Sequence, residues 1–281
     1  MNILVTGRNG LLGAELINFL RTSDHNVDGI STDLRNLKHL EAFTNTYSRI
    51  DWIIHTSAIT DTNLCERNRN LCFDFNILRT RNIRNIAHKK KSKLIFTSTA
   101  SVFSGKEGNY KEQDIPYPIN FYNLSKFVGE QLVLDYNDGL VLRINLIGFH
   151  RIKPRNLNFF EWLIEAFKKN RDINLYKDVY INPLSNITLS QQIENLIKIN
   201  PKEKILHLGS ANVLSKAAIG KIVLKEFPKF KGIAKFINHS KKENGVHFPL
   251  KIGLNVDYVQ NKLGIKMPTL ESEIDLLMNN L

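Results

Sequence analysis

The sequence predicts an α/β fold: a doubly wound parallel sheet with a smaller C-terminal lobe. Three observations carry that prediction. The chain opens on a strand, a glycine-rich turn and a helix, Met1-Asn-Ile-Leu-Val-Thr-Gly-Arg-Asn-Gly-Leu-Leu-Gly13. Short apolar runs then alternate with amphipathic stretches through the first half, the pattern of strand–helix–strand units. Past Gly148 the alternation stops and helices joined by irregular chain take over.

Each element has its own signal. Ile3-Leu-Val5 reads as a buried parallel strand, and Leu11, Leu12, Leu16, Ile17 and Phe19-Leu20 give the first helix an apolar face. His25–Ile30 is a second, short strand, Leu37–Tyr47 a helix and Asp51–His55 a third strand. Cys65–Asn70 opens a helical region, and Phe73–His88 is a long helix carrying Ile77, Thr80, Ile83 and Ile86-Ala87. Lys93–Thr97 is a fourth strand, Phe121–Tyr136 a helix and Leu140–Arg143 a fifth strand. Beyond Gly148, Phe159–Lys169, Ser190–Ile199, Ser215–Phe227, Gln260–Leu263 and Leu270–Leu281 read as helices. Lys204–Leu208 reads as a late strand returning to the sheet, and Pro228–Pro249 as basic and irregular. The expected division is a dinucleotide-binding domain over 1–148 and, mainly, a substrate lobe over 149–281. That lobe would cover the carboxyl edge of the sheet, where open α/β sheets bind ligands.

Composition narrows the function. The 281 residues are 42% hydrophobic and 23% charged, ordinary values for a globular protein. No run of about 18 apolar residues occurs, so no membrane span is expected, and the start lacks the pattern of a secretory leader, so a cytoplasmic location is expected. Net charge is +12, but Lys and Arg are spread along the chain. The tight cluster Lys89–Lys93 sits at a helix end, where cations are favoured, so nucleic-acid binding is disfavoured. A basic field also draws in small anionic substrates. Cys65 and Cys72 are too few for a disulfide framework or a metal site and read as packing residues on one helix face; no metal is expected.

Two groups carry chemistry. Gly7, Gly10 and Gly13 recur every third residue between strand and helix, where a backbone must turn sharply and approach a ligand closely. The helix that follows offers free N–H groups and a positive dipole end to a phosphate. Tyr122 and Lys126 are four apart and share one helix face. An ammonium there would favour the phenolate and lower the tyrosine's pKa. Phe96-Thr-Ser-Thr-Ala-Ser101 lies at the carboxyl end of the fourth strand, where a hydroxyl can hold a carbonyl oxygen beside Tyr122.

With these residues the chain resembles the extended short-chain dehydrogenase/reductases, and within them the dTDP-4-dehydrorhamnose reductase group. The resemblance rests on the T-G-x-x-G-x-x-G turn, Ile54-His-Thr-Ser-Ala58 with Thr60-Asp61, Cys65-Glu66 and Asn76, and on Ser98–Glu112, Pro118–Lys126 and Gly129-Glu130. Leu142-Arg143, Leu254-Asn-Val-Asp257 and Lys262–Pro268 extend it more thinly. It implies a Rossmann-type fold and a reductase using NADP(H) or NAD(H) on a keto group of a nucleotide-activated deoxysugar, for surface polysaccharide. It implies Thr99, Tyr122 and Lys126 as catalytic residues. Gly7, Arg8, Asn9, Gly10, Leu11, Leu12 and Gly13 would hold the cofactor, with Asp33, Leu34, Ser57, Ala58, Thr60, Asn76 and Thr97, alongside Tyr122 and Lys126. Thr99, Ser101, Phe103 and Asn145 would meet the substrate. A homodimer fits the family.

The second strand ends without the acidic residue that reads a ribose 2′-hydroxyl, and Arg8 could meet a 2′-phosphate, so the reading leans to NADPH. The chain departs from the family at Ala100, Ser101 and Asn123, where Asp, Tyr and Gly are usual, and at His247-Phe-Pro249, where Arg-Pro is usual. Two rival readings remain: an epimerase or dehydratase of the same superfamily, and a non-catalytic NADP-binding regulatory subunit.

Overall fold

The computed structural model describes residues 1–152, 156–239 and 246–281. Its centre is a six-stranded sheet made by β1 (Asn2–Thr6), β2 (Asn26–Gly29), β3 (Trp52–His55), β4 (Lys93–Thr99), β5 (Gly139–Ile144) and a late strand, Ile205–Leu208. Every pairing in it is parallel, in the order β2, β1, β3, β4, β5, then the late strand. Alternation along the strands feeds two cores. Ile3, Val5, Trp52, Ile54, Ile95 and Leu142 face one side, where they pack with Leu16 and Leu20 of α1 (Leu11–Arg21). Leu4, Ile53, Leu94, Phe96 and Val141 face the other, against Leu40, Ile83, Ile86 and Val133. Those four come from α2 (Leu37–Asn45), from a helix over Arg79–Lys90 and from one over Phe121–Leu134. The chain leaves β1 outward to β2 and then crosses back to β3, so the switch of direction falls between β1 and β3.

Side-chain caps fix most helix starts. Asn36 opens α2, Asp61 opens α3 (Thr62–Arg67) and Asn68 opens α4 (Arg69–Phe73), each accepting from a backbone N–H three residues on. Then come α5 (Arg79–Lys90), ended by Lys91 in the left-handed region, and α6 (Phe121–Leu134), capped by Asn120. Here the structure corrects two expectations, the helical region opening at Cys65–Asn70 and the long helix over Phe73–His88. The chain breaks at Asn68, which caps the next helix, and a wide π turn spans Asp74–Leu78 before α5. Cys65 and Cys72 therefore lie on different helices rather than on one face, although both are buried. β4 also runs two residues beyond the expected Thr97, because Ser98 and Thr99 pair with Arg143 and Ile144 of β5.

Past β5 the chain adds β6 (Leu146–Ile147), α7 (Phe159–Lys168), β7 (Ile173–Tyr176), β8 (Tyr180–Ile181), β9 (Leu184–Ser185), α8 (Asn186–Ile199) and β10, the late strand. β11 (Leu214–Ser215), α9 (Lys216–Leu224), β12 (Ala234–Ile237), α10 (Asp257–Asn261) and α11 (Leu270–Met278) complete it. α8 starts four residues before the expected Ser190 because Ser185 caps it. α10 lies earlier than the expected Gln260–Leu263. The stretch expected to be irregular holds β12, paired in parallel with β7; its residues 240–245 lie outside the described residues. A separate core of Phe160, Leu163, Phe167, Leu175, Ile219 and Leu277 holds this part together. Among the described residues no helix is long and apolar enough to cross a membrane.

Behind the sheet's edge lies a buried ion pair. Arg143 donates to both carboxylate oxygens of Glu130 at 3.0 and 2.9 Å, and Ser98 Oγ donates to the same carboxylate at 2.6 Å. A charge this deep is tolerated because it is paired and hydrogen-bonded. The sheet core is the first place to test the packing: Ile54→Ala empties a fully buried site in β3. It should cost about 2–5 kcal/mol of stability, read from the urea unfolding midpoint.

Candidate active site

The carboxyl ends of β1, β3 and β4 open into a cavity of about 620 Å³. One wall is the glycine turn. Gly7 has φ +68°, a conformation that side chains disfavour, and its carbonyl accepts from Gly10 N at 2.8 Å. A Cβ on Gly13 would lie 2.2 Å from that same carbonyl, so only glycine lets α1 start against the turn. No side chain caps α1, and Gly10, Leu11, Leu12 and Gly13 line the cavity. The opening N–H groups of the helix thus face an open space, and they fit a dinucleotide pyrophosphate.

The second wall is β4 with α6. Thr97, Thr99, Tyr122 and Lys126 all line the cavity. Lys126 Nζ donates to the Thr97 carbonyl at 2.7 Å and sits 4.1 Å from the centre of the Phe96 ring. Burial pulls its ammonium down to about 7, against the upward pull of Glu130. The Tyr122 phenol hydrogen-bonds Thr99, yet burial outweighs that bond and pushes the phenol above its usual range. This corrects the expectation of a phenol lowered by Lys126: the group is held protonated. His55, under the cavity floor, is kept neutral by burial, down to about 3, and bridges Thr6 and Thr80.

Of the other expected residues, Ala58, Thr60 and Asn145 also line the cavity; Asn145 Nδ2 donates to the Ile252 carbonyl at 3.0 Å. Gly7 lies beneath the turn, and Arg8 and Asn9 are exposed beside it. Arg8 stacks over Gly29 at the end of β2, since a Cβ there would meet its Cβ at 2.6 Å. Ser57 donates its N–H to Thr6 Oγ1 and stays off the cavity wall.

Asn76 is a strut rather than a wall residue. It is buried, bonds both the N–H and the carbonyl of Ile59, and donates to Ser125 Oγ at 2.9 Å. Phe103 is fully buried, stacked on Tyr110 at 4.2 Å, so it cannot touch a substrate. Ser101 lies in a short helical turn outside the cavity lining, with its N–H on Thr99 Oγ1. Leu34 is buried in the core. Asp33 is engaged by Arg35, which holds its carboxyl down to about 2.

The third wall was not foreseen: Leu146, His150, Asn156, Leu157 and Asn158, with Thr56, Asp61, Ser98 and Ile144 completing the lining. Only Asn158 had a sequence signal, an Asn three residues before Glu161 and an apolar run. It forms a capping box with Glu161. His150 sits in a loop without periodicity and gave none.

A family profile described as the RmlD substrate binding domain matches residues 1–281. The probable low-salt glycan biosynthesis reductase Agl14 of Haloferax volcanii is 26% identical, over 99% of this chain and 97% of its own length. The crystal structure of a hypothetical dTDP-4-dehydrorhamnose reductase from Sulfolobus tokodaii superposes with a TM-score of 0.85 at 28% identity, covering 98% of each chain. That of dTDP-4-dehydrorhamnose reductase from Bacillus anthracis, in complex with NADP, superposes with a TM-score of 0.89 at 23% identity, covering 100% of this chain and 99% of that one.

Lys126 makes the site's electrostatics measurable. Folded, it releases its proton near 7; unfolded, it holds it to 10.5. The unfolded chain binds more protons between those values, so this group makes stability rise with pH across that window and penalises the fold below it. Lys126→Met should show a smaller rise in urea midpoint from about pH 7 to about pH 9 than the wild type. Equal rises would contradict the assignment.

Proposed function

The chain belongs to the RmlD substrate binding domain family, and on that premise we propose that it is a nicotinamide-dinucleotide-dependent reductase of a keto group on a nucleotide-activated deoxysugar, supplying polysaccharide precursors. One observation carries the reading: Thr99, Tyr122 and Lys126 converge on a single cavity whose other wall is the uncapped start of α1. When bound, the dinucleotide supplies the hydride. Gly10–Gly13 and the first N–H groups of α1 hold its pyrophosphate. Thr99 Oγ1, on the end of β4, orients the carbonyl oxygen of the sugar. The Tyr122 phenol, held protonated by burial, gives that oxygen its proton. Lys126, fixed on the Thr97 carbonyl, keeps its remaining N–H groups for a cofactor hydroxyl and for the phenolate left behind. Residues 149–281 mainly bind the sugar nucleotide, with Asn145 at the boundary.

The cofactor is NADPH in preference to NADH. Arg8 covers the end of β2, and Asp28, the acid of that strand, is engaged by the Tyr47 hydroxyl at 2.7 Å rather than free to read a ribose. Arg8→Ala should raise the Kd for NADPH about tenfold, the loss of one charge-assisted contact, and leave that for NADH nearly unchanged. Equal effects on both would reverse the preference.

Tyr122→Phe tests the chemistry. With a panel of dTDP-4-keto-6-deoxy sugars, kcat for NADPH oxidation should fall by at least about a hundredfold, with NADPH binding retained. Unchanged turnover removes the tyrosine from the mechanism.

A further inference from the structure

Among the described residues His150 is the one cavity-lining histidine, and the proton-transfer set does not use it. Its backbone is tied to α1 on both sides. Asn186 Nδ2 donates both to the Phe149 carbonyl at 3.1 Å and to the carbonyl of Leu11, the first residue of α1, at 3.2 Å. Arg151 makes two bonds to Glu15 of α1, at 2.7 and 3.1 Å. His150 is thereby held next to the helix start that shares its cavity.

Its ring is oriented as well. Nδ1 lies 2.9 and 2.8 Å from the two Glu161 oxygens, and the His150 backbone N–H donates to the same carboxylate at 2.8 Å. Asn158 fixes that carboxylate in turn, from its N–H and from Nδ2. Nδ1–H is thus committed to Glu161, and Nε2 has no protein partner among the described residues. With Nδ1–H taken by the carboxylate, Nε2 is the ring nitrogen left to meet a ligand, and it does so as a donor when it too carries hydrogen. A ring N–H donor lining the same cavity as an uncapped helix N-terminus matches a phosphate oxygen.

We propose that His150, oriented by Glu161, binds the cofactor's pyrophosphate from the lobe side, opposite the glycine turn. The proposal rests on the dinucleotide-binding reading above and extends it: the phosphate is clasped by α1 on one side and by a loop of the C-terminal part on the other. The same two ties hold Phe149 and Arg151, on either side of His150, against α1.

The test is binding, read without turnover. Isothermal titration of NADPH, of ADP, which carries a diphosphate but no nicotinamide, and of dTDP compares wild type with His150→Ala and Glu161→Gln. His150→Ala should weaken both ligands about tenfold or more, while the thermal midpoint without ligand stays close to wild type. Glu161→Gln keeps the acceptor but removes the charge, and should weaken both by a smaller factor. A histidine that only staples the loop would lower the thermal midpoint and leave both affinities alone, which would overturn the proposal. Loss confined to dTDP, with NADPH and ADP unaffected, would also overturn it and move His150 to the substrate side. If the wild type itself bound neither NADPH nor ADP, the dinucleotide reading would fall, and this proposal with it.

Discussion

The bond from Lys126 Nζ to the Thr97 carbonyl joins the helix that carries Tyr122 to the strand that carries Thr99. It is the polar tie between these two elements that lies nearest the proton-transfer set's own Tyr122–Thr99 bond. A buried ammonium is costly unless its hydrogens find acceptors. Here a strand carbonyl at the sheet's rim and the face of Phe96 take that part. One turn along α6, Glu130 repeats the tie more strongly, through Ser98 of β4 and Arg143 of β5. The register of α6 on the sheet is therefore set by polar contacts at two successive turns. Gly129, between them, lets the helix approach Phe96 closely, since a Cβ there would lie 2.8 Å from that ring.

The opposite wall depends on a contact of another kind. Gly13 presses on the carbonyl of Gly7, and Thr56 Oγ1 donates to the Thr6 carbonyl. These bring the start of α1, the end of β1 and the loop after β3 into one corner at the topological switch point. The corner leaves backbone N–H groups of α1 uncapped, which a folded chain tolerates where a ligand or solvent takes them. Cofactor and proton donor then meet because parallel strands carry both to the same edge of the sheet.

Much of this was legible in the sequence where a short-range rule applies. The glycine spacing located the turn, the i to i+4 spacing put Tyr122 and Lys126 on one face, and the short apolar runs placed the strands of the sheet. What was missed has physical causes. Asn68 breaks the helix with a local cap on Leu71, and in the π turn at Asp74–Leu78 Asn76 reaches across the fold to Ile59 and Ser125 while Thr80 bonds its carbonyl. The phenol shifts opposite to the simple Tyr–Lys expectation because burial, which no pair spacing encodes, outweighs its neighbours. Phe103 reads as a substrate contact by resemblance, but it stacks on Tyr110 beneath the Arg143 guanidinium. The wall at His150 is built by ties to α1 and α7 from residues far apart in the chain.

The central claim is that Thr99 and Tyr122 act as one unit on one oxygen. A double-mutant cycle measures this most directly: kcat/KM for NADPH-dependent reduction of a dTDP-4-keto-6-deoxy sugar by wild type, Thr99→Val, Tyr122→Phe and the double variant. Groups that share a transition-state contact are strongly non-additive. The account predicts that the double variant loses little more than the worse single one. Fully additive losses, or no loss in either single variant, would contradict it.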